Sequence, residues 1–271
     1  MWTPATRAQH NRDHLRYSSD LTDAEWAPIE PVLPKTAVTG RPRAWPMREI
    51  VNAVLFILRS GCPWRMLPDH FPPRSTVWDW FRRFRDERLF EGLGHRLVLA
   101  DRERCGRHAS PSAAVMDSQT ARTCERVAGR AATMAPSASS VAKRHALVDT
   151  DGQLLALVVG AASVQDRDGA GPLARASRNR FPFVERIFAD RGYQGERVRQ
   201  TSPVPVEIVR PRPGQIGFAV QPRRWVVERT FAWLGRNRRL WKDAEATIAS
   251  STAFLHAAAA NVLIRRIASA E

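Results

Sequence analysis

Apolar residues first recur at helical spacing at Trp26, Ile29 and Leu33. Thr22, Asp23 and Glu25 precede them as a helix start, and Pro34 stops the run. A second stripe, Ile50, Val51, Val54, Leu55, Ile57 and Leu58, predicts a helix over 48–60 that Gly61 and Pro63 end. A third helix is expected from Ser75 or Thr76, carrying Val77, Trp78, Trp80, Phe81 and Phe84, with Arg74, Arg82, Arg83 and Arg85 alongside. Residues 21–99 therefore read as a small helical domain. Two of its helices, joined by a short connection containing Pro and Gly, fit a helix-turn-helix whose second helix enters a DNA groove. The plainer alternative makes the aromatic stripe ordinary core and the arginines a solvated face; Trp64, Trp78 and Trp80 belong to the core on either reading. Residues 1–20 lack apolar periodicity and read as a flexible arm. The charged stretch 100–112 reads as a linker.

From residue 113 the pattern becomes that of an α/β layer domain extending to 271. Short apolar strands are expected at 113–116, 146–149 and 154–164, the last two around the turn residues Asp151 and Gly152. A helix over 168–178 follows, then a buried strand through Ile187 and Phe188 that ends at Asp190, and a short helical stretch after Gly192. Residues 204–209 form a strand that Pro205 confines to an edge. A long helix over 223–240 and an alanine-rich one over 252–267 complete the domain.

Charge narrows the range of partners. The chain has 42 Lys and Arg against 27 Asp and Glu, a formal net charge of +15 made almost entirely of arginine, whose planar fork of donors matches phosphate oxygens. Cys62, Cys105 and Cys124 are odd in number and too scattered for a zinc ribbon or a disulfide framework, which suits a reduced cytoplasm. No apolar run approaches bilayer length, so neither a membrane span nor a signal peptide is expected.

Chemistry at phosphodiesters with paired Mg²⁺ ions needs carboxylates gathered at one point, because Mg²⁺ prefers oxygen ligands. Asp117 and Asp190 each follow a buried strand where it emerges into solvent. Glu228 lies within a helix beside Trp225, Val226, Val227 and Phe231, an apolar neighbourhood in which an unpaired carboxylate is costly. Arg224, four residues earlier, offers a simple helical ion pair as the alternative role for Glu228. Asp149, Asp151, Asp166 and Asp168 also cluster near strand ends, and the residues alone leave them open as ligands.

Three segments carry a resemblance. Asp117-Ser118-Gln119, Ala189-Asp190-Arg191-Gly192-Tyr193, and the run from Arg223 through Glu228 to Trp233-Leu234 closely resemble the catalytic motifs of bacterial insertion-sequence transposases of the IS-five family. Leu21-Thr22-Asp23-Ala24-Glu25-Trp26 resembles that family's N-terminal opening, and Gly61-Cys62-Pro63-Trp64-Arg65-Met66-Leu67-Pro68 its central connection. The resemblance implies a ribonuclease-H-like mixed sheet flanked by helices, in which Asp117, Asp190 and Glu228 hold two Mg²⁺ ions, with Mn²⁺ as a substitute. It implies cleavage at terminal inverted repeats and joining of 3′-hydroxyl ends to target DNA by a homo-oligomer on double-stranded DNA in the bacterial nucleoid. Lys143, Arg144, Arg224, Arg229, Arg236, Arg238 and Arg239 join the four arginines of the helical domain as expected DNA contacts. A metal-dependent nuclease of the same fold, or a catalytically dead DNA-binding regulator, are the alternatives.

One segment departs from the family pattern. Where members carry a basic run reading Pro-Arg-Gly-Tyr-Asp-Ala-Ala-Lys-Arg-Ile-Lys-Gly-Arg, residues 130–142 read Arg-Ala-Ala-Thr-Met-Ala-Pro-Ser-Ala-Ser-Ser-Val-Ala. Reading the family run one base out of register, with high-GC codons, reproduces residues 131–142 except at two positions. A pair of compensating frameshifts, with the frame restored at Lys143-Arg144-His145, is the expectation. Loss of these cations weakens phosphate binding.

Overall fold

The computed structural model describes residues 3–9, 11–35, 42–122, 141–209 and 225–269. After a short helix α1 (Pro4–Gln9), α2 (Asp23–Trp26) starts at a reciprocal cap: the Thr22 hydroxyl accepts from the Glu25 N–H while the Glu25 carboxylate accepts from the Thr22 N–H. The single helix expected as far as Leu33 is instead α2 followed by a 3₁₀ turn, Glu30–Val32. Pro28 and Pro31, which lack N–H donors, account for the break. Helix α3 (Met47–Ser60) buries the stripe read from the sequence, and α4 (Arg74–Asp86) buries Val77, Phe81 and Phe84. Helix α5 (Leu89–Arg104) was not anticipated, because Gly92 and Gly94 interrupt its apolar stripe.

A five-stranded mixed sheet follows, formed by β1 (Ala113–Arg122), β2 (Val141–Asp149), β3 (Leu154–Ala161), β4 (Arg186–Ala189) and β5 (Val206–Ile208) in the order β3-β2-β1-β4-β5. The first three strands pair antiparallel, whereas β4 and β5 run parallel to β1. β5 lies at the edge, as Pro205 required. Helix α6 (Asp166–Arg178) packs on β2 and β3, and α7 (Glu196–Thr201) packs on α6. On β1 and β2 lies α8 (Trp225–Leu234), which ends at Gly235 rather than reaching residue 240; a separate 3₁₀ turn, Arg238–Leu240, comes after it. Helix α9 (Ile248–Ala268) packs against β3 and against α2, α3, α4 and α5, so the helical region and the sheet share one hydrophobic core. This is a ribonuclease-H-like α/β fold with an N-terminal helical region.

Two organisational expectations need correction. The arm over 1–20 is docked from about residue 12 onward: Arg12 forms a forked pair with Glu25, and Tyr17 packs its ring against Phe56 and Phe71. Aromatic burial and paired charge outweigh the entropy that a free tail would keep. The linker over 100–112 begins inside α5, where Asp101 and Arg102 are buried. Cys62 and Cys105 are free thiols, while Cys124 lies outside the described residues. No helix among the described residues is long and apolar enough to cross a membrane.

Candidate active site

The parallel pairing of β1 with β4 sets Val115 opposite Phe188. Two residues further along each strand come Asp117 and Asp190, so both acids emerge at one level from neighbouring strands, which lie about 4.8 Å apart in a sheet. Their backbones are held by burial of Val115 and Met116 on one side and Ile187, Phe188 and Ala189 on the other. Asp117 accepts from the Ser118 N–H at 2.7 Å, and Asp190 caps the 3₁₀ turn Arg191–Tyr193 by accepting from the Gly192 N–H at 2.8 Å.

A third carboxylate approaches from α6. A methyl group built on Gly192 would lie 3.0 Å from an Asp190 oxygen and 3.2 Å from an Asp166 oxygen, so both acids crowd this glycine and would have to shift slightly to admit a side chain. Asp166 accepts from the Ser118 hydroxyl at 2.5 Å and from Lys143 Nζ at 2.9 Å. Burial raises the pKa of its carboxyl, but those two bonds and the Lys143 charge outweigh burial and hold it below the usual carboxylate range. Beneath the acids sits Tyr193, 1% exposed. Burial first, and then the charges of Asp117, Asp166 and Asp190, push its phenol far above the ordinary value. The Ser118 side chain near its hydroxyl opposes that shift, although the contact falls short of a well-formed hydrogen bond.

The other carboxylates left open by the sequence are engaged elsewhere. Asp149 is fully buried against Arg102, Asp151 pairs with Arg107, and Asp168 pairs with Arg197. Of the four, Asp166 lies across Gly192 from Asp190 and bonds Ser118, the neighbour of Asp117.

Glu228 lies on α8, which the Thr230 hydroxyl fastens to the β2–β3 turn by donating to the Gly152 carbonyl at 2.7 Å. Val226, Val227, Thr230 and Phe231 are buried, whereas Glu228 is exposed, so the desolvation cost expected from its sequence neighbours does not arise. Its helical partner in the alternative reading, Arg224, lies outside the described residues. Among the described residues, no three His, Cys, Asp or Glu side chains converge closely enough to hold a metal ion as they stand. The donor chemistry nevertheless suits a hard divalent cation, since Asp117, Asp190 and Asp166 offer oxygen ligands at neighbouring strand ends and the start of α6.

The expected DNA contacts divide into two groups. Arg74, Arg82 and Arg83 are exposed on α4, with Arg83 paired to Glu87 and lying over the Trp80 ring; Arg236 and Arg238 are exposed after α8. Arg229 lies between the Trp225 and Trp233 rings and donates to the Asp151 carbonyl. Three assignments are corrected. Arg144 is a core residue, 3% exposed, donating to the Leu240 carbonyl; Arg239 is tied to Glu245 and the Cys62 carbonyl; and Arg85 is turned to Asp86 and Ser250. Lys143 is committed to Asp166 at the carboxylate cluster. Tyr193 and Ser118 were overlooked as site residues although both sit inside the quoted motifs, because nothing in local polarity distinguishes a site tyrosine from a core one.

Residues 108–263, more than half of the chain, match the family model described as "Transposase DDE domain". The chain belongs to the DDE transposase family. The helical region, residues 21–93, matches a model for transposases of the IS4/5 family. A Burkholderia cepacia protein described as a transposase for insertion sequence element IS402 is 33% identical over 109 residues, which cover 36% of this chain and 51% of that relative. The chain thus matches about half the length of this curated relative. No solved structure matches the chain. DDE transposases are nucleic-acid-processing enzymes whose domains generally use divalent metals.

Proposed function

We propose that this DDE transposase binds the terminal inverted repeats of a mobile element as a homo-oligomer, cleaves the DNA there, and joins the freed 3′-hydroxyl ends to a target duplex. The observation that carries the proposal is the register that brings Asp117 and Asp190 side by side at the end of two buried parallel strands. Bound Mg²⁺, with Mn²⁺ as a substitute, supplies charge neutralisation at the phosphodiester and a more acidic attacking hydroxyl. Asp117 and Asp190 provide the paired oxygens that hold the cations, with Glu228 as the third acid on α8. Ser118 and Lys143 hold Asp166 by hydrogen bonds, which fixes the negative charge beside the pair. Arg74, Arg82 and Arg83, together with Arg236 and Arg238, take the DNA backbone, and Arg229 continues that basic surface on α8. Residues 21–99 serve as the DNA-binding part and 113–271 as the catalytic part.

Incubation with a labelled duplex carrying an element end, a second duplex and Mg²⁺ tests the reading. Covalent joining of the labelled 3′ end to the second duplex is expected. Cleavage without joining would leave a nuclease of the same fold. The altered run at 130–142, of which 130–140 lies outside the described residues, favours a second reading: an impaired copy that binds element ends as a regulator. Binding to the repeat with no Mg²⁺-dependent nicking would support it.

A further inference from the structure

Two adjoining cavities, of about 620 and 360 Å³, share Ser18, Arg59 and Arg236 and form one trough between the docked N-terminal segment, the end of α3, the turn after α8, and the end of α9. Six arginines line it: Arg12, Arg59, Arg236, Arg238, Arg265 and Arg266. Glu25 is the acid in its wall, and Arg12 already takes that carboxylate in a forked pair, with Arg265 at 3.7 Å on the same oxygen. Arg266 has Asp101. For Arg59 and Arg236 no carboxylate lies within ion-pair distance among the described residues; Arg59 instead donates to the Arg236 carbonyl at 2.6 Å. The Nε atoms of Arg12 and Arg265 are buried without a hydrogen-bond partner among the described residues.

Gathering guanidinium groups without matching anions is repulsive, and leaving their donors unfilled adds a desolvation cost. Burial, together with the neighbouring Arg12 and Arg59 charges, lowers the Arg265 pKa to about 10 despite Glu25. An anion with several oxygens reverses both costs, because guanidinium forks bind phosphate oxygens in pairs. Two adjoining cavities of this size have room for more than one phosphate. The turn bearing Arg236 and Arg238 directly follows α8, the helix that carries Glu228.

We infer that this trough is a phosphate-backbone track for duplex DNA, separate from the α4 arginines, in which Arg59 and Arg236 make the contacts and the packed residues around Arg12 and Arg265 shape the wall. The inference rests on the proposed DNA-binding activity and deepens it: the contacts proposed for Arg236 and Arg238 extend into a trough that reaches Arg59.

The test measures anisotropy of a fluorescein-labelled duplex from low to moderate salt, for the full chain and two double variants. In R59Q/R236Q, affinity at low salt should fall about tenfold, and the slope of log affinity against log salt should become shallower by roughly 1.8, since each phosphate contact contributes about 0.9. R59K/R236K keeps the charges and should recover most of the slope. Thermal melting checks that both variants are folded. A folded R59Q/R236Q with unchanged slope overturns the track, as does equal loss in the lysine pair, which points to packing. If the parent chain binds no duplex, the proposed DNA-binding function fails and the inference fails with it. Normal parent binding with an unaffected glutamine pair removes the inference alone.

Discussion

Arg102 Nη1 donates to an Asp149 oxygen at 2.6 Å, and their side chains are 5% and 0% exposed. The pair joins α5 of the helical region to the end of β2, and Asp149 also accepts from the backbone N–H groups of Asp151 and Gln153. It holds the β2–β3 turn on which α8 rests. Removing one partner of a buried ion pair strands the other charge. Arg102→Ala should therefore lower stability by about 3–5 kcal/mol, measured by urea unfolding. A loss below about 1 kcal/mol would show that water reaches Asp149.

Gly152 occupies that same turn at φ +83°, and a methyl group there would stand 2.9 Å from the Thr230 hydroxyl and 3.2 Å from Arg229 and Val226 side-chain atoms. Gly152→Ala thus meets both a left-handed backbone and the face of α8. A cost of at least about 1 kcal/mol is expected, together with weaker Mg²⁺-dependent cleavage as α8 shifts. Thermal melting and a cleavage assay on the same sample check both parts; an unchanged melting temperature contradicts the packing described.

His256, buried on α9, has its pKa pushed down to about 4, chiefly by burial; Glu91 opposes that shift, while Arg180 and Arg88 reinforce it. The folded chain thus keeps the ring neutral where the unfolded chain, near 6.5, takes up a proton. This contribution is complete above about pH 6.5 and declines as pH falls towards 4, to a limit of about 3 kcal/mol. Urea unfolding at several pH values should show that decline, and His256→Gln should flatten it over the same window. Parallel profiles in both proteins would exclude His256 as its source.

Much of this architecture could be read from the sequence where period and punctuation agree. The Ile50 to Leu58 stripe gave α3, and the short apolar runs before Asp117 and Asp190 gave the two parallel strands. What stayed hidden depended on partners distant in sequence. Nothing near Asp101 and Arg102 reveals that Asp149 lies opposite, so charged residues at the end of α5 resembled a linker. Arg144 and Arg239 looked like surface cations for the same reason, since their acceptors are the carbonyls of Leu240 and Cys62. Among four candidate aspartates, only the sheet order distinguishes Asp166, which β2, β3 and the start of α6 carry back to Asp190.

The altered run at 130–142 yields a gain-of-function prediction. Replacing it with the basic run of the family should raise duplex affinity and steepen its salt dependence by about 0.9 for each phosphate contact regained. Anisotropy titrations of the two proteins decide; equal slopes mean that the run does not touch DNA.

The most direct measurement is Mg²⁺-dependent cleavage of a duplex carrying the element end by the parent chain, Asp117→Asn and Asp190→Asn, with duplex binding measured alongside. Each substitution keeps the side chain's shape and removes its charge, so the expected result is loss of cleavage by at least about a hundredfold with binding within about twofold of the parent. Cleavage that persists in either variant at the parent rate would contradict the placement of the reaction at these two strand ends.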